Sequence, residues 1–505
     1  MALPSLYRIA QQQALSYPQR TAVVHGSLRL DFAELADRAR RAAAMLTGLG
    51  VGAGDRVVWL GQNSNAVVEL LLGSNRIGAM LCVANWRQSA DELLFVLDDL
   101  TPSAIFWEMS ETGTVTADLR ARASANTLWV ASDDDGPDGY EARLAGADVS
   151  ELLATEGPGE APLLLLYTAA FGGKPNAAQI SSDGLMLQAL LHIPALDIAP
   201  GNVALIGTPM FHIVAWIDLI PTFLMGGTAL IAKRADADEL CGLLHRERPV
   251  TGRLHAPTAE KLVEMNRDGR FDFGSFRSSL NVPGWREMTA RGPELGGYGQ
   301  TETIGPVVLR SLGEAGNGPM AGRPSPLAEV RIVDGNGRDI ADGGIGEMLV
   351  RTPTGGLGYW NRPELNAERM VEGGWWATRD LGRRLPDGTI SFVAPKMQMI
   401  KTGAENVYPA EVEAVLREHP AVASTAIIGV PDPQWHQSVT AIVVLRPDAD
   451  ADEQALIDHV KGRIARYKAP KRVIFTDAIP MKGFVPDYRL LDERFGGGNY
   501  PGEAA

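Results

Sequence analysis

Cysteine is nearly absent from this chain of 505 residues, where only Cys82 and Cys241 occur. Two thiols cannot build a disulfide framework or a zinc-spaced cluster, and so low a count suits a reducing interior. A cationic surplus is also lacking: 47 Lys and Arg stand against 61 Asp and Glu, a net charge of −14. That balance argues against a general affinity for DNA or RNA, whose phosphates reward clustered Lys and Arg. An anionic small ligand stays open, because a local site can override the global charge. No stretch is long and apolar enough to suggest a membrane span. Residues 215–232 come closest, but Asp218, Pro221 and the Gly226-Gly227 pair interrupt them, and a spanning helix needs about 20 mostly apolar residues. They read instead as a buried helix, a turn and a strand. The opening MALPSLYRIAQQQ lacks the basic-then-apolar pattern of a secretory signal, so a cytoplasmic protein is expected.

What the sequence has is ordinary globular texture, 45% hydrophobic and 21% charged, in a chain too long for one core. Through about residue 390, short apolar runs such as RVVWL, AMLCVAN, NVALIG and GTALIA alternate with amphipathic stretches. Strands separated by single helices predict an α/β fold of parallel sheets with helical cover. Residues 108–160 lack long apolar runs and read as surface structure. From about 320 the runs shorten and Gly turns multiply. Asp334-Gly335-Asn336-Gly337 and Asp387-Gly388 are hairpin signals, and DGGIGE (342–347) precedes a strand and reads as a turn. After about 395 comes a compact α+β unit, ending in a loose tail, GGGNYPGEAA. Glu34/Asp37 and Glu411/Glu413 read as solvated helix faces. No metal cluster, Ser-His-Asp triad or dinucleotide fingerprint stands out.

Five segments carry more: LLLLYTAAFGGKPNAAQIS, TPMFHIVAW, GGYGQTET, GYWNRPELNAERMVEGGWWATRDLG and MIKTGAENVYPAEVEAVL. In this order and spacing they resemble the adenylate-forming family of acyl-CoA synthetases, luciferases and peptide-synthetase adenylation domains. The YPAEVE pattern, with YKAPKRV downstream, is most similar to the acyl-CoA synthetases. The resemblance implies a large N-terminal domain (1–394) of helix-covered mixed sheets plus a distorted β-barrel. A hinge at 395–398 would join it to a small mobile α+β C-terminal domain (399–505).

Family chemistry runs in two steps. A carboxylate attacks the α-phosphate of ATP to give acyl-AMP and pyrophosphate, and a thiol, usually that of CoA, then displaces AMP. Each step needs neutralised phosphate charge and positioned reactants. By resemblance, Thr301 bonds phosphate and Glu302 ligates Mg²⁺, an oxygen donor suited to that ion. Tyr298 and Gly299 belong to the nucleotide site, Tyr298 packing near adenine, and Asp380 accepts the ribose hydroxyls. Taken alone, the same residues also fit an ordinary Gly-rich turn and a turn-capping Asp. His212 takes the position that gates the carboxylate pocket. Trp216, one helical turn on, and Gly297 fall on the substrate side; Trp216 either narrows the channel toward a short or ring-bearing acid or serves as core. Gly403 and Ala404 lie in the hairpin that lines the pantetheine tunnel, Ala404 replacing a family glycine.

The departures cluster around phosphate. The family loop reads like YTSGTTGxPKG; here Thr168 and Lys174 remain, but the central hydroxyls are gone and Asn176 stands where the family has Lys. Pro395 and Gln398 replace the ribose-holding Arg and the hinge Asp, with Lys396 the nearest cation. Residues 484–486, Phe-Val-Pro, fall where the C-terminal Gly-Lys belongs, leaving Lys482 a few residues away. Residues 281–297 are too few for the helix that usually precedes the YGxTE motif, and Arg379 stands where Gly is more usual.

The implied function is ligation of a small or medium organic acid to CoA with ATP and Mg²⁺, passing through acyl-AMP. Two alternatives stay open: a partial-cycle enzyme working on preformed acyl-AMP or acyl-CoA, and a non-catalytic protein that binds acyl-CoA or a nucleotide. The expected partners are the acid or its acyl-CoA, with no nucleic acid and no membrane span; a homodimer stays open.

Overall fold

The computed structural model describes residues 3–123, 127–152, 157–168, 175–312, 320–402, 405–464, 466–482 and 485–498. Capped helices between apolar strands build its first half. The strand Arg56–Leu60 leads to Ser64, whose hydroxyl accepts from the Ala66 N–H and caps the helix Asn65–Ile77. Gly78, at φ 74°, ends that helix in the left-handed conformation glycine adopts freely. The next strand, Met80–Val83, then lies parallel to the first. Repetition gives a six-stranded sheet in the order Leu128–Ala131, Ala104–Trp107, Arg56–Leu60, Met80–Val83, Pro162–Thr168, Asn176–Ser181, antiparallel only at its last pair.

A second sheet of five strands, ordered Thr251–Gly252, Val203–Ile206, Thr228–Ile231, Thr21–His25, Leu28–Asp31, is parallel except for its terminal hairpin. Helices lie between the two sheets, and one apolar core joins Val23, Trp59, Leu70, Leu185 and Trp216. The apolar stretch at 215–232 forms the helix Ile213–Leu224, a turn and the strand Thr228–Ile231, as its interruptions predict. Among the described residues no helix is long and apolar enough to cross a membrane.

The Gly-rich texture from about 320 belongs to an eight-stranded, wholly antiparallel sheet that begins earlier, at Gly297–Gln300. Asp387-Gly388 turns the hairpin between Trp375–Arg384 and Ile390–Pro395. A 3-10 turn, Lys396–Gln398, leads to the next sheet, which begins at Ile400–Thr402 and packs the helices Pro409–Arg417 and Glu453–Lys461 over its own apolar core. In residues 281–297 the chain makes only a four-residue helix, Trp285–Met288, and a two-residue strand, in keeping with the missing family helix.

Two expectations are corrected. Residues 108–160 are not merely surface: Leu128–Ala131 is the edge strand of the six-stranded sheet, and the helix Met109–Arg122 buries Leu119. A four-residue strand is too short to show a period. Glu413 is not solvated: at 3% exposure it accepts from the Ile427 N–H at 3.0 Å, the Tyr488 hydroxyl at 2.6 Å and Arg417 at 2.9 Å. Helical spacing cannot reveal a cover that arrives from 75 residues away.

The GYGQ strand explains its glycines by close backbone approach. A Cβ at Gly297 would stand 1.9 Å from the Val308 carbonyl oxygen, and one at Gly299 would stand 2.1 Å from that of Gly305. Gly299→Ala must therefore push the hairpin partner away, at about 1–3 kcal/mol. Calorimetry should show a lower melting temperature for this variant; an unchanged one contradicts the close approach.

Candidate active site

Two acidic side chains approach each other from different elements of the antiparallel sheet, close enough for the Glu302 charge to act on Asp380. Glu302 sits in the 3-10 turn Thr301–Thr303, which follows the strand Gly297–Gln300. The turn is self-locked: the Thr303 hydroxyl accepts from the Gln300 N–H at 3.0 Å and donates to the Gly305 carbonyl at 2.9 Å. Asp380 lies mid-strand in Trp375–Arg384, opposite Pro395.

Asp380 is held by neutral donors. Its Oδ2 accepts from the Tyr298 hydroxyl at 2.8 Å and from the Gln300 amide at 2.6 Å. Gln300 is fixed in turn by a bond to the Thr378 carbonyl, and Tyr298 is buried, stacked on Phe392 at 5.8 Å. Burial pushes the Asp380 carboxyl up to about 6, against the pull of those two donors and of Arg369. The Gln300 Oε1 is buried without a partner among the described residues. An orphaned acceptor beside a carboxylate fits a ligand that brings hydroxyl or amino donors, as a nucleoside does.

Glu302 is tied differently. Its Oε1 accepts from the Tyr359 hydroxyl at 2.5 Å. Burial, then the Glu302 charge, holds the Tyr359 phenol above the usual tyrosine range, so it remains a donor. Tyr359 packs on Trp376, and Arg369, itself 7% exposed, lies 4.8 Å over the Trp376 ring while donating to the carbonyls of Ala377 and Thr378.

The left-handed backbone at Arg379, φ 56°, turns the strand just before Asp380. Glycine adopts this conformation without a Cβ penalty. Arg379 bears a cost of about 1–2 kcal/mol, offset in part by its ion pair with Glu368 and by the Glu347 carboxylate accepting its N–H at 3.2 Å. Lys396, the nearest cation to the altered hinge, is engaged with that same Glu347 at 2.5 Å.

The remaining predicted residues fall at varied distances from this cluster. Thr168 closes the hairpin Pro162–Thr168/Asn176–Ser181, its hydroxyl donating to the Asn176 carbonyl at 3.3 Å. Lys174, Gly403 and Ala404 lie outside the described residues. Lys482 pairs with Val485 in a two-stranded ribbon, and its side chain is likewise outside the described set. His212 precedes the helix Ile213–Leu224 with its ring 4.5 Å from that of Phe211. It is solvent-accessible yet ringed by protein; that desolvation, then Arg87 and His255, lowers its pKa. Trp216 is wholly buried, its indole N–H donating to the Met210 carbonyl at 2.8 Å, so the structure places it in the core. Its neighbour Ile217 approaches Gly305, three residues past Glu302.

Sequence reasoning missed two site residues, Tyr359 and Arg362. Arg362 donates to the Asn176 side chain at 3.0 Å and to Asp99 at 2.8 Å, while Tyr167 holds the other Asp99 oxygen at 2.7 Å. A cation thus stands beside the position that lost the family lysine. It comes from 186 residues away, and no local pattern announces it.

Two carboxylates, each held by a phenol, and an orphaned acceptor thus meet on the antiparallel sheet, an arrangement that suits a nucleotide. The family model described as AMP-binding enzyme matches residues 10–360, and that described as AMP-binding enzyme C-terminal domain matches 411–483. The chain belongs to this family. It is 33% identical to a feruloyl-CoA synthase of Amycolatopsis sp, covering 94% of this chain and 95% of the relative. It is 32% identical to an indoleacetate–CoA ligase of Aromatoleum aromaticum, covering 92% of each. Among solved structures, a Mycobacterium tuberculosis fatty acyl CoA synthetase superposes with a TM-score of 0.80 at 27% identity, over 97% of this chain and 98% of that one. The protein is an acyl-CoA synthetase, an acid–CoA ligase that uses ATP, Mg²⁺ and coenzyme A.

Relief of the backbone at 379 is measurable. Arg379→Gly should stabilise the protein by about 1 kcal/mol, the left-handed cost less a half-exposed ion pair. Thermal melting without ligand checks this; a lower melting temperature contradicts it.

Proposed function

We propose that this enzyme activates a small or medium organic acid, ring-bearing acids foremost, with Asp380 holding the ribose of the nucleotide. The observation that carries this reading is the anchoring of one Asp380 oxygen by two neutral donors. Among the described residues no donor reaches Oδ1, which can accept a sugar hydroxyl. Ring-bearing acids are favoured because two of the relatives, the feruloyl-CoA synthase and the indoleacetate–CoA ligase, are named for ring-bearing acids.

In this reading Tyr298 and Gly299 flank the base, and Thr301 donates to phosphate. Glu302 supplies a hard oxygen to Mg²⁺, which when bound neutralises phosphate charge. Thr168, Lys174 and the displaced guanidinium of Arg362 serve the phosphate loop. His212 faces the acid's carboxylate, with Gly297 beside the acyl group. Lys482 brings the adenylation charge, and Gly403 and Ala404 line the thiol's path. The chain divides into units 1–394 and 399–505 about 395–398, a reading supported by the 3-10 turn Lys396–Gln398 between two sheets. A second reading, a partial cycle on preformed acyl-AMP, is favoured by the engagement of Lys396 with Glu347. Faster CoA ester formation from synthetic acyl-AMP than from acid and ATP would select it.

Pyrophosphate release should require acid, ATP and Mg²⁺ together, and Glu302→Ala should reduce it about a hundredfold or more, the scale of losing one preorganised charge-stabilising group. Wild-type protein that releases none across a broad acid panel contradicts the proposal.

The raised Asp380 carboxyl sets a pH dependence. Its ionised form, needed to accept ribose hydroxyls, is lost as pH falls through about 6. AMP affinity measured by calorimetry should weaken from pH 8 to pH 5 in wild type, and Asp380→Asn should be weak and flat. Because the folded pKa lies above the unfolded one, ionisation costs stability above about pH 6, so Asp380→Asn should melt higher than wild type at pH 8 without ligand. That difference should shrink by pH 4.

A further inference from the structure

Tyr359 is over-determined for a residue outside the phosphate loop. Its backbone is clamped from both sides by one side chain: the Asn366 carbonyl accepts the Tyr359 N–H at 2.7 Å, and the Asn366 amide donates to the Tyr359 carbonyl at 2.8 Å. Gly358, at φ 79°, lets the chain pass Asn366 so closely that an added Cβ would stand 2.6 Å from its oxygen. A bridge from Tyr359 to Ala178 ties it to the strand Asn176–Ser181, which leaves the phosphate loop. The ring is 4% exposed against Trp376. All this rigidity ends in one bond, the hydroxyl 2.5 Å from the Glu302 Oε1. Hydrogen bonds to a carboxylate of this length are charge-assisted and fix its rotation. Among the described residues no donor reaches the Glu302 Oε2.

We propose that Tyr359 is a positioning residue that occupies one oxygen of Glu302, leaves the other as a one-oxygen ligand, and so selects Mg²⁺ over larger divalent cations at the nucleotide site. This rests on the reading of Glu302 as the metal's carboxylate. Mg²⁺ is small, demands near-ideal octahedral geometry and takes carboxylates sparingly, whereas Ca²⁺ accepts both oxygens of one carboxylate in a looser shell. A carboxylate with one oxygen held by a fixed phenol offers Ca²⁺ no bidentate grip. The residue acts through Glu302, and partners that orient a metal ligand are typically worth 10–100-fold in metal affinity.

The test is titration calorimetry of ATP binding to the full chain with Mg²⁺, with Ca²⁺ and with chelator, for wild type, Tyr359→Phe, Asn366→Ala and Glu302→Ala. Wild type should bind ATP more tightly with Mg²⁺ than with Ca²⁺ or chelator. Tyr359→Phe should lose about tenfold or more of the Mg²⁺ enhancement, keep its affinity for metal-free ATP, and narrow the preference for Mg²⁺ over Ca²⁺. Asn366→Ala, which keeps the hydroxyl but loosens its support, should move the same way by less, and it decides the matter if Tyr359→Phe does not fold. Full Mg²⁺ enhancement and preference in Tyr359→Phe overturn the proposal. So does an equal loss with and without metal, which marks a purely structural residue. If instead Glu302→Ala keeps the enhancement, the reading of Glu302 fails, an outcome distinct from either.

Discussion

A carboxylate held by a phenol, repeated twice, is the interaction on which this cleft depends. Tyr298 bonds Asp380 and Tyr359 bonds Glu302, so two acids share a partly buried site with neutral donors rather than cations as their direct partners. Buried charge is costly unless it is hydrogen-bonded, and a phenol satisfies that need without cancelling the charge. The carboxylates therefore stay available to a cationic or hydroxyl-bearing ligand. An arginine in direct contact would neutralise them before any ligand arrived. Arg369, a buried cation nearby, is turned onto the carbonyls of Ala377 and Thr378 and stacked over Trp376.

Backbone constraints carry the same design outward. The hairpin Gly297–Gln300/Gly305–Leu309 closes tightly only because Gly297 and Gly299 lack a Cβ, and this sets Tyr298 and Gln300 at hydrogen-bonding distance from Asp380. The left-handed residue at 379 aims Asp380, and here an arginine accepts a conformation better suited to glycine. Beside the phosphate loop, the Arg362 guanidinium bonds the Asn176 side chain and is ion-paired with Asp99.

Much of this was legible in the sequence. The alternation of apolar runs and amphipathic stretches announced the parallel sheets, and Asp387-Gly388 announced its hairpin. Glu302 and Asp380 stood out because each lies within a short collinear motif, and the structure sets each against a phenol. Tyr359 did not, although it sits in the quoted segment GYWNRPEL, because its bond to Glu302 spans 57 positions and no local pattern encodes it. Arg362 and the cover over Glu413 were hidden for the same reason. Trp216 shows the converse: helical spacing from His212 suggested a shared pocket, but the helix begins only after His212, and the indole turns into the core. Periodicity reports a face; it does not report what packs on it.

The most direct measurement is a crystal structure of the enzyme with AMP bound. The ribose hydroxyls should lie on Asp380 Oδ1, with Tyr298 and Gln300 still donating to Oδ2. A nucleotide seated elsewhere, or an Asp380 side chain turned from the ribose with its bond to Tyr298 broken, would contradict this placement.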